Sequence, residues 1–187
     1  MPNQLTGSGN YFEDFTVGDR IKHARGTTVG ELENQLLTKL VMNTAQAHFN
    51  EHAMKDTPFG RRLVFGLATG SIVMGLATQD VAENAVAELR LDKLRFTAPV
   101  FHGDTLYAYT EVLAKTEVER EDAGEVTFKH WGVNQDGKAV FEGERTVLIK
   151  RRAPSPPGPL SRAATQRHPP GEGESSVRSA HPEESKE

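Results

Sequence analysis

The stretch VFGLATGSIVMGLATQ, residues 64–79, carries no charged side chain. Wound as a helix it is small or apolar on every side, and a helix of that kind is a buried one. Gly66, Gly70 and Gly75 weaken it by propensity but allow other parts of the chain to come close. The stretch therefore predicts a core helix with something wrapped around it. It is too short to be a membrane span: the least polar run, residues 63–78, has 16 residues, where a bilayer takes about 20.

Downstream of this helix the chain reads as strands. Residues 89–101 form one, broken late by Pro99; Gly103-Asp104 makes a turn, and residues 105–116 form the next. A charged hairpin at 119–124 leads to residues 125–134, where Val126, Phe128, His130 and Gly132 alternate with Thr127, Lys129, Trp131 and Val133. Asp136-Gly137 is a strong hairpin signal. Residues 138–150 close the set, with Gly143 expected to be a bulge. Upstream, residues 20–27 read as a short strand. Thr28 with Glu31 fits a capping box, and Leu32, Leu36 and Leu40 recur at i, i+4, i+8, which predicts an amphipathic helix over about 29–44. Residues 45–62 are polar and irregular.

Strands joined by short turns imply an antiparallel sheet with the helices grouped on one side. Such a sheet wrapped round one long apolar helix is the hot-dog architecture, an α+β fold. Its open edge would be protected by a dimer joined at the edges.

Composition changes near residue 151. Residues 152–187 hold seven of the ten prolines, no aromatic residue, and only Leu160 and Val177 as large aliphatics. Such a segment cannot bury enough apolar surface to offset chain entropy, so it is expected to be a disordered tail. The expected division is a flexible start over 1–10, one hot-dog domain over 11–151, and the tail over 152–187.

The chain has 187 residues, a net charge of −4 and no cysteine. An acidic chain without a Lys/Arg run has no electrostatic footprint for nucleic acid. Without cysteine there is no disulfide framework, thiolate zinc site, iron–sulfur cluster or cysteine nucleophile. The opening residues lack the basic and apolar regions of a signal peptide. A cytoplasmic protein with no membrane association is expected.

Three features bear on chemistry. In His48-Phe49-Asn50-Glu51-His52, two imidazoles with an amide and a carboxylate could activate water and return a proton. The same residues also read as a plain polar surface loop, or as a metal pair at i, i+4 without a clear third ligand. At Val64-Phe65-Gly66-Leu67 the loop enters the buried helix. The first backbone N–H groups of a helix lack internal partners, and Gly66 would let a substrate carbonyl approach them; close packing is the other use for that glycine. The third feature is the strand–turn–strand APVFHGDTL, residues 98–106.

Together with YFEDFTVGD from Tyr11, these pieces resemble the MaoC-like dehydratases, the hot-dog fold of (R)-specific enoyl-CoA hydratases. NTAQAHFNEH, PFGRRLVFG and LRFTAPVFHGDTL look most like the mesaconyl-CoA hydratase (methylmalyl-CoA dehydratase) branch. The family's catalytic motif is Asp-x-Asn-Pro-x-His, with a glycine N–H at the helix start holding the thioester oxygen. On this chain the resemblance puts His52 at the motif histidine and Gly66 at the oxyanion glycine. Ala47 stands where the aspartate belongs. Deleting one loop residue instead aligns His48 with the acid/base position and Asn50 with the orienting amide.

The resemblance implies a hydro-lyase acting on a short, branched or dicarboxylic enoyl-CoA, as a homodimer or dimer of dimers. No cofactor is implied beyond the coenzyme A of the substrate, and no metal. Arg62, or Arg61 beside it, is expected to meet a substrate carboxylate or a coenzyme A phosphate. Phe65 and Leu67, flanking Gly66, are expected to line the acyl site. A hot-dog thioesterase and a non-catalytic acyl-CoA-binding subunit are the alternatives, the second favoured by the missing aspartate.

Overall fold

A computed structural model describes residues 10–153; the expected tail lies outside the described residues except at its first two positions. Five strands, β1 (Arg20–Thr28), β2 (Ala85–Phe96), β3 (Thr105–Thr116), β4 (Ala123–Val133) and β5 (Ala139–Lys150), form one sheet in the order β1-β3-β4-β5-β2. All four pairings are antiparallel. The helices are α1 (Glu31–Leu40), α2 (Glu51–Met54) and α3 (Gly66–Val81), with single 3-10 turns at Phe12–Asp14 and Gln46–His48. α3 lies on one face of the sheet against β1, β3, β4 and β5, the hot-dog arrangement. Among the described residues no helix is long and apolar enough to cross a membrane.

Four of the strand readings hold because their causes are local, whereas the strand expected over 89–101 runs over Ala85–Phe96 and ends ahead of Pro99, which has no N–H to give a ladder. Gly103 and Gly137 take φ of +90° and +73° in the two turns, a region open to glycine at little steric cost. On β3, Leu106, Ala108, Thr110 and Val112 face inward and are buried, as a period of two requires. The bulge is displaced from its expected place. β4 and β5 pair regularly at Gly143, and the irregularity is on β2, between Asp92 and Arg95. Lys93 there takes φ +51°. Gly143 lies opposite because a Cβ on it would meet Leu94 at 2.7 Å.

α3 differs from the expectation of a helix covered all round. Ala68, Gly70, Val73, Ala77 and Val81 are buried, whereas Leu67, Ser71 and Gly75 are exposed. Gly70 is required by close approach, since a Cβ would meet the Phe141 ring at 2.8 Å, but nothing lies within 4 Å of a Cβ at Gly75. One sheet can cover only one side of a helix.

α1 is shorter than expected and turned inside out. Gly30 caps it, its N–H donating to the Glu33 carboxylate, while Thr28 bonds Thr105. Met42, at φ +55°, follows the helix end. Its buried residues are Asn34 and Thr38, while Leu32, Leu36 and Leu40 are 77%, 53% and 69% exposed.

The interior holds two apolar clusters. Phe12, Phe15, Val81, Val112, Phe128 and Ile149 belong to one; Val29, Val73, Val100, Leu106 and Phe141 belong to the other. A polar chain runs through the interior as well: His23 Nδ1 meets Asp80 Oδ2 at 2.6 Å and His23 Nε2 meets Thr110 Oγ1 at 2.7 Å. Thr110 Oγ1 in turn meets His130 Nδ1 at 2.8 Å. Asp80 Oδ1 and His130 Nε2, at its two ends, have no partner among the described residues. Burial therefore holds His130 far below the ordinary imidazole value, at about 3, because a charged form would have no solvation.

Candidate active site

The start of α3 is pinned by backbone pairing. Val64 N–H donates to Val100 O at 2.8 Å, and Leu63 bridges Phe101 in antiparallel fashion. This sets the first turn of the helix beside the connection from β2 to β3. Phe65 is the N-cap, and its N–H donates to Asn34 Oδ1 at 2.8 Å. The next N–H groups, beginning with that of Gly66, are the orphan donors at the positive end of the helix dipole.

The histidine loop is held against the same segment. Leu63 N–H donates to Ala47 O at 2.9 Å, and His48 Nδ1 lies 3.1 Å from Leu63 O. A carbonyl only accepts, so Nδ1 carries a proton, and in the neutral ring the lone pair is then on Nε2. His48, Gly66 and Thr69 line one cavity of about 370 Å³, with Phe59, Phe96 and Val100 among its apolar walls. A cleft of about 960 Å³ beside the C-terminal half of α3 is larger, but its lining of Tyr11, Thr78, Gln79, Glu83 and Arg152 includes no imidazole. The smaller cavity is the one with a base and a helix start.

Of the two histidines offered by the sequence, only His48 lines it. His52, expected at the motif histidine, stands exposed on α2, whose one buried residue is Met54, and is not among the residues lining the cavity. Five residues before His48 stands Asn43, as Ala47 stands five before His52. Asn43 Oδ1 accepts from Ala45 N–H at 2.9 Å. Asn50, expected as the orienting amide, is engaged within its own segment. Its Oδ1 caps α2 by accepting from Ala53 N–H at 3.0 Å, and its Nδ2 donates to Gln46 Oε1 at 2.6 Å.

Arg62 is also occupied. It donates to Glu31 and Glu51, each at 2.5 Å. The two carboxylates raise the guanidinium above its ordinary value, and Arg62 in turn holds Glu31 below the usual carboxylate range. Its charge is thus spent within the chain. Arg61 instead stacks 3.8 Å over the Phe101 ring, with no carboxylate at ion-pair distance among the described residues. The Phe65 ring packs 5.4 Å from that of His48, and Leu67 points to solvent, 51% exposed. Among the described residues no three His, Asp or Glu side chains gather as a metal cage, so the spacing of His48 and His52 finds no third ligand.

Two residues at this site escaped sequence reading. Asn34 is 1% exposed and touches both halves of the site. His102 lies in the β2–β3 connection, with Nε2 3.0 Å from Asn34 Nδ2. Burial and the Arg62 charge hold its imidazole below the ordinary value. The available signal was an amide and a hydroxyl, Asn34 and Thr38, at helical spacing on the side of α1 away from its leucine stripe.

The chain is 34% identical over 162 residues to the beta-methylmalyl-CoA dehydratase of Chloroflexus aurantiacus, covering 78% of this chain and 46% of that protein. It is 35% identical over 161 residues to a mesaconyl-CoA hydratase of Haloarcula marismortui, covering 79% and 44%. The chain thus spans about half the length of these curated relatives. A crystal structure of the MaoC-like dehydratase from Rhodospirillum rubrum superposes with a TM-score of 0.67 at 28% identity, covering 77% of this chain and 99% of that one. The family model described as mesaconyl-CoA hydratase matches residues 32–151, and by that match the chain belongs to the mesaconyl-CoA hydratase family.

Proposed function

We propose that this chain is a hydro-lyase that adds or removes water at the double bond of a short, branched or dicarboxylic enoyl-CoA thioester, of the mesaconyl-, itaconyl- or methylglutaconyl-CoA type. The observation that carries the reading is an imidazole and a helix start lining one small, largely apolar cavity. Hydration needs a base for the water attacking C3, a proton for C2, and donors for the thioester oxygen as it gains enolate charge. His48 Nε2 takes a proton from water while the water oxygen bonds C3. The π pair shifts through C2 onto the thioester oxygen, which the Gly66 N–H holds. The imidazolium returns its proton to C2 as the carbonyl re-forms. Hydroxyl ends on C3, hydrogen on C2, and His48 is neutral again; dehydration is the reverse.

No step of this scheme calls on a metal or redox cofactor, and coenzyme A enters as part of the substrate. Arg61 is the cation left for an acyl carboxylate or a coenzyme A phosphate. The names of the two relatives support the substrate class. A second copy of the chain is the proposed partner. β2 is a free edge with Leu89, Leu91 and Phe96 44%, 46% and 49% exposed, and an unpaired edge is a template for another strand. Phe96 also lines the cavity, so that pairing would close over the site in a homodimer or dimer of dimers.

The test is loss of the conjugated enoyl absorbance with crotonyl-, mesaconyl-, itaconyl- and 3-methylglutaconyl-CoA. His48→Ala is expected to lower kcat/KM by roughly 10²–10⁴, with His52→Ala close to wild type. Turnover lost in His52→Ala but kept in His48→Ala overturns the assignment. Release of free coenzyme A from saturated thioesters, or tight binding without turnover, overturns the reaction.

A further inference from the structure

We infer that Asn34 is the positioning residue that holds the His48 loop and the start of α3 in register with each other. The inference deepens the hydratase reading and rests on it. Its basis is a single buried amide with contacts to three separated segments. Asn34 Nδ2 lies 3.0 Å from His48 O and 3.2 Å from Leu63 O, and Asn34 Oδ1 accepts from Phe65 N–H at 2.8 Å. Leu63 O is also the acceptor of His48 Nδ1. One side chain therefore grips the backbone of the base, the carbonyl that sets that base's tautomer, and the residue preceding the Gly66 donor.

The sense of the amide is fixed as well. Two backbone carbonyls and the lone pair of His102 Nε2, 3.0 Å away, all face Nδ2, so its two hydrogens are shared among three acceptors. The opposite orientation would set an oxygen against two carbonyls and leave the Phe65 N–H facing an NH₂ group. Asn34 is 1% exposed, so its own amide could not turn to water instead, and leaving it unpaired would cost its full desolvation. Thr38, one turn further on, bonds back within its own helix, its hydroxyl donating to Asn34 O at 2.7 Å, and has no part in the amide's contacts to the loop or to α3. Asn34 does not line the cavity and touches no reacting atom. Its effect passes through the geometry of His48 and Gly66, where a misplacement of about 1 Å is worth roughly 10²-fold in rate.

The experiment compares Asn34→Ala, Asn34→Asp and, as a control for a purely structural role, Thr38→Ala. Turnover of the best acyl thioester of the panel is measured beside ¹⁵N spectra of histidine-labelled protein, with the His48 signals assigned by their absence in His48→Gln. Expected for Asn34→Ala is a fall in kcat of roughly 10²-fold with KM little changed, and ¹⁵N shifts of His48 moving from the pure Nδ1–H form to a tautomer mixture. Asn34→Asp keeps the acceptor for Phe65 N–H and loses the donors toward His48 and Leu63. It is the variant to read should Asn34→Ala fail to fold, and it should show the same tautomer change. Thr38→Ala should lose stability while keeping kcat and the single tautomer. A pure Nδ1–H signal and undiminished kcat in either folded Asn34 variant overturn the inference, as does a kcat loss in Thr38→Ala equal to that of Asn34→Ala. Should the wild type turn over no thioester of the panel, the reaction assignment falls, and the tautomer change alone still upholds the positioning role.

Discussion

α1 and α3 are the two long helices of the molecule, and they reverse each other's expectations. α3 is apolar all round in sequence, yet it buries one side and leaves Leu67, Ser71 and Gly75 in the open. α1 has a regular leucine stripe, yet the stripe faces solvent and Asn34 and Thr38 face inward. The difference follows from what each helix is packed against. α3 lies on four strands whose inward side chains are mostly aliphatic and aromatic, the chain His23, Thr110 and His130 that ends on Asp80 aside, so along its first turns shape decides: Gly70 is there because Phe141 is. The inner side of α1 meets backbone groups of residues 48, 63 and 65. Backbone donors and acceptors demand polar partners when buried, so the hydrophobic rule gives way there. The buried face of α3 stabilises the fold, and that of α1 builds the site.

The contrast can be broken at its strongest point first. Phe141 is 1% exposed and rests on Gly70, so Phe141→Ala should cost about 3–5 kcal/mol in urea unfolding. A cost under about 1 kcal/mol would mean that α3 is not held by shape. Next is the polar chain at Asp80. His130 folds with a value of about 3 against 6.5 unfolded, so protons favour the unfolded state. Its stability contribution is whole above about pH 6.5. As pH falls from there toward 3 it is lost, at about 1.4 kcal/mol per pH unit. His130→Phe should therefore flatten the acid limb of stability measured by denaturant titration at successive pH values; an unchanged limb would assign it to other groups.

Two glycines of α3 sharpen the contrast further, with smaller effects of opposite sign. Gly70→Ala should lower stability by about 1 kcal/mol, since its Cβ meets the Phe141 ring at 2.8 Å. Gly75→Ala should raise it by about 0.5–1 kcal/mol, since its Cβ meets nothing within 4 Å. Equal shifts in Tm would remove the distinction between the two sides. The smallest effect belongs to α1: Leu32→Gln, at a position 77% exposed, should change stability by no more than about 0.5 kcal/mol. A loss of several times that would show the leucine face covered in solution.

Much of the architecture was legible along the chain. Turn glycines, the two-residue alternation of β3 to β5 and the uncharged run of α3 are local signals. The local physics of backbone sterics and burial produces the same elements wherever they end up. Gly66 could be read in the same way, because a helix start is itself a local feature with known orphan donors. His48 and His52 could not be separated, since both sit four residues apart in one polar segment. What divides them is that a single 3-10 turn carries His48 onto the carbonyl of Leu63, while α2 turns His52 outward. Arg62 read as a free cation until the chain brought Glu31 and Glu51 to it.

By itself, then, the sequence determined an antiparallel sheet with one long apolar helix, a glycine at that helix's start, and a histidine loop just before it. Each of these depends on neighbours within a few residues. Only the tertiary structure decided which histidine lines the cavity, which arginine is already neutralised, and why α1 turns an amide inward. Those outcomes depend on donors and acceptors many residues apart in the chain, 14, 29, 31 and 68 residues for Asn34. A buried polar group is satisfied by whatever the fold brings beside it, and no period in the sequence records that.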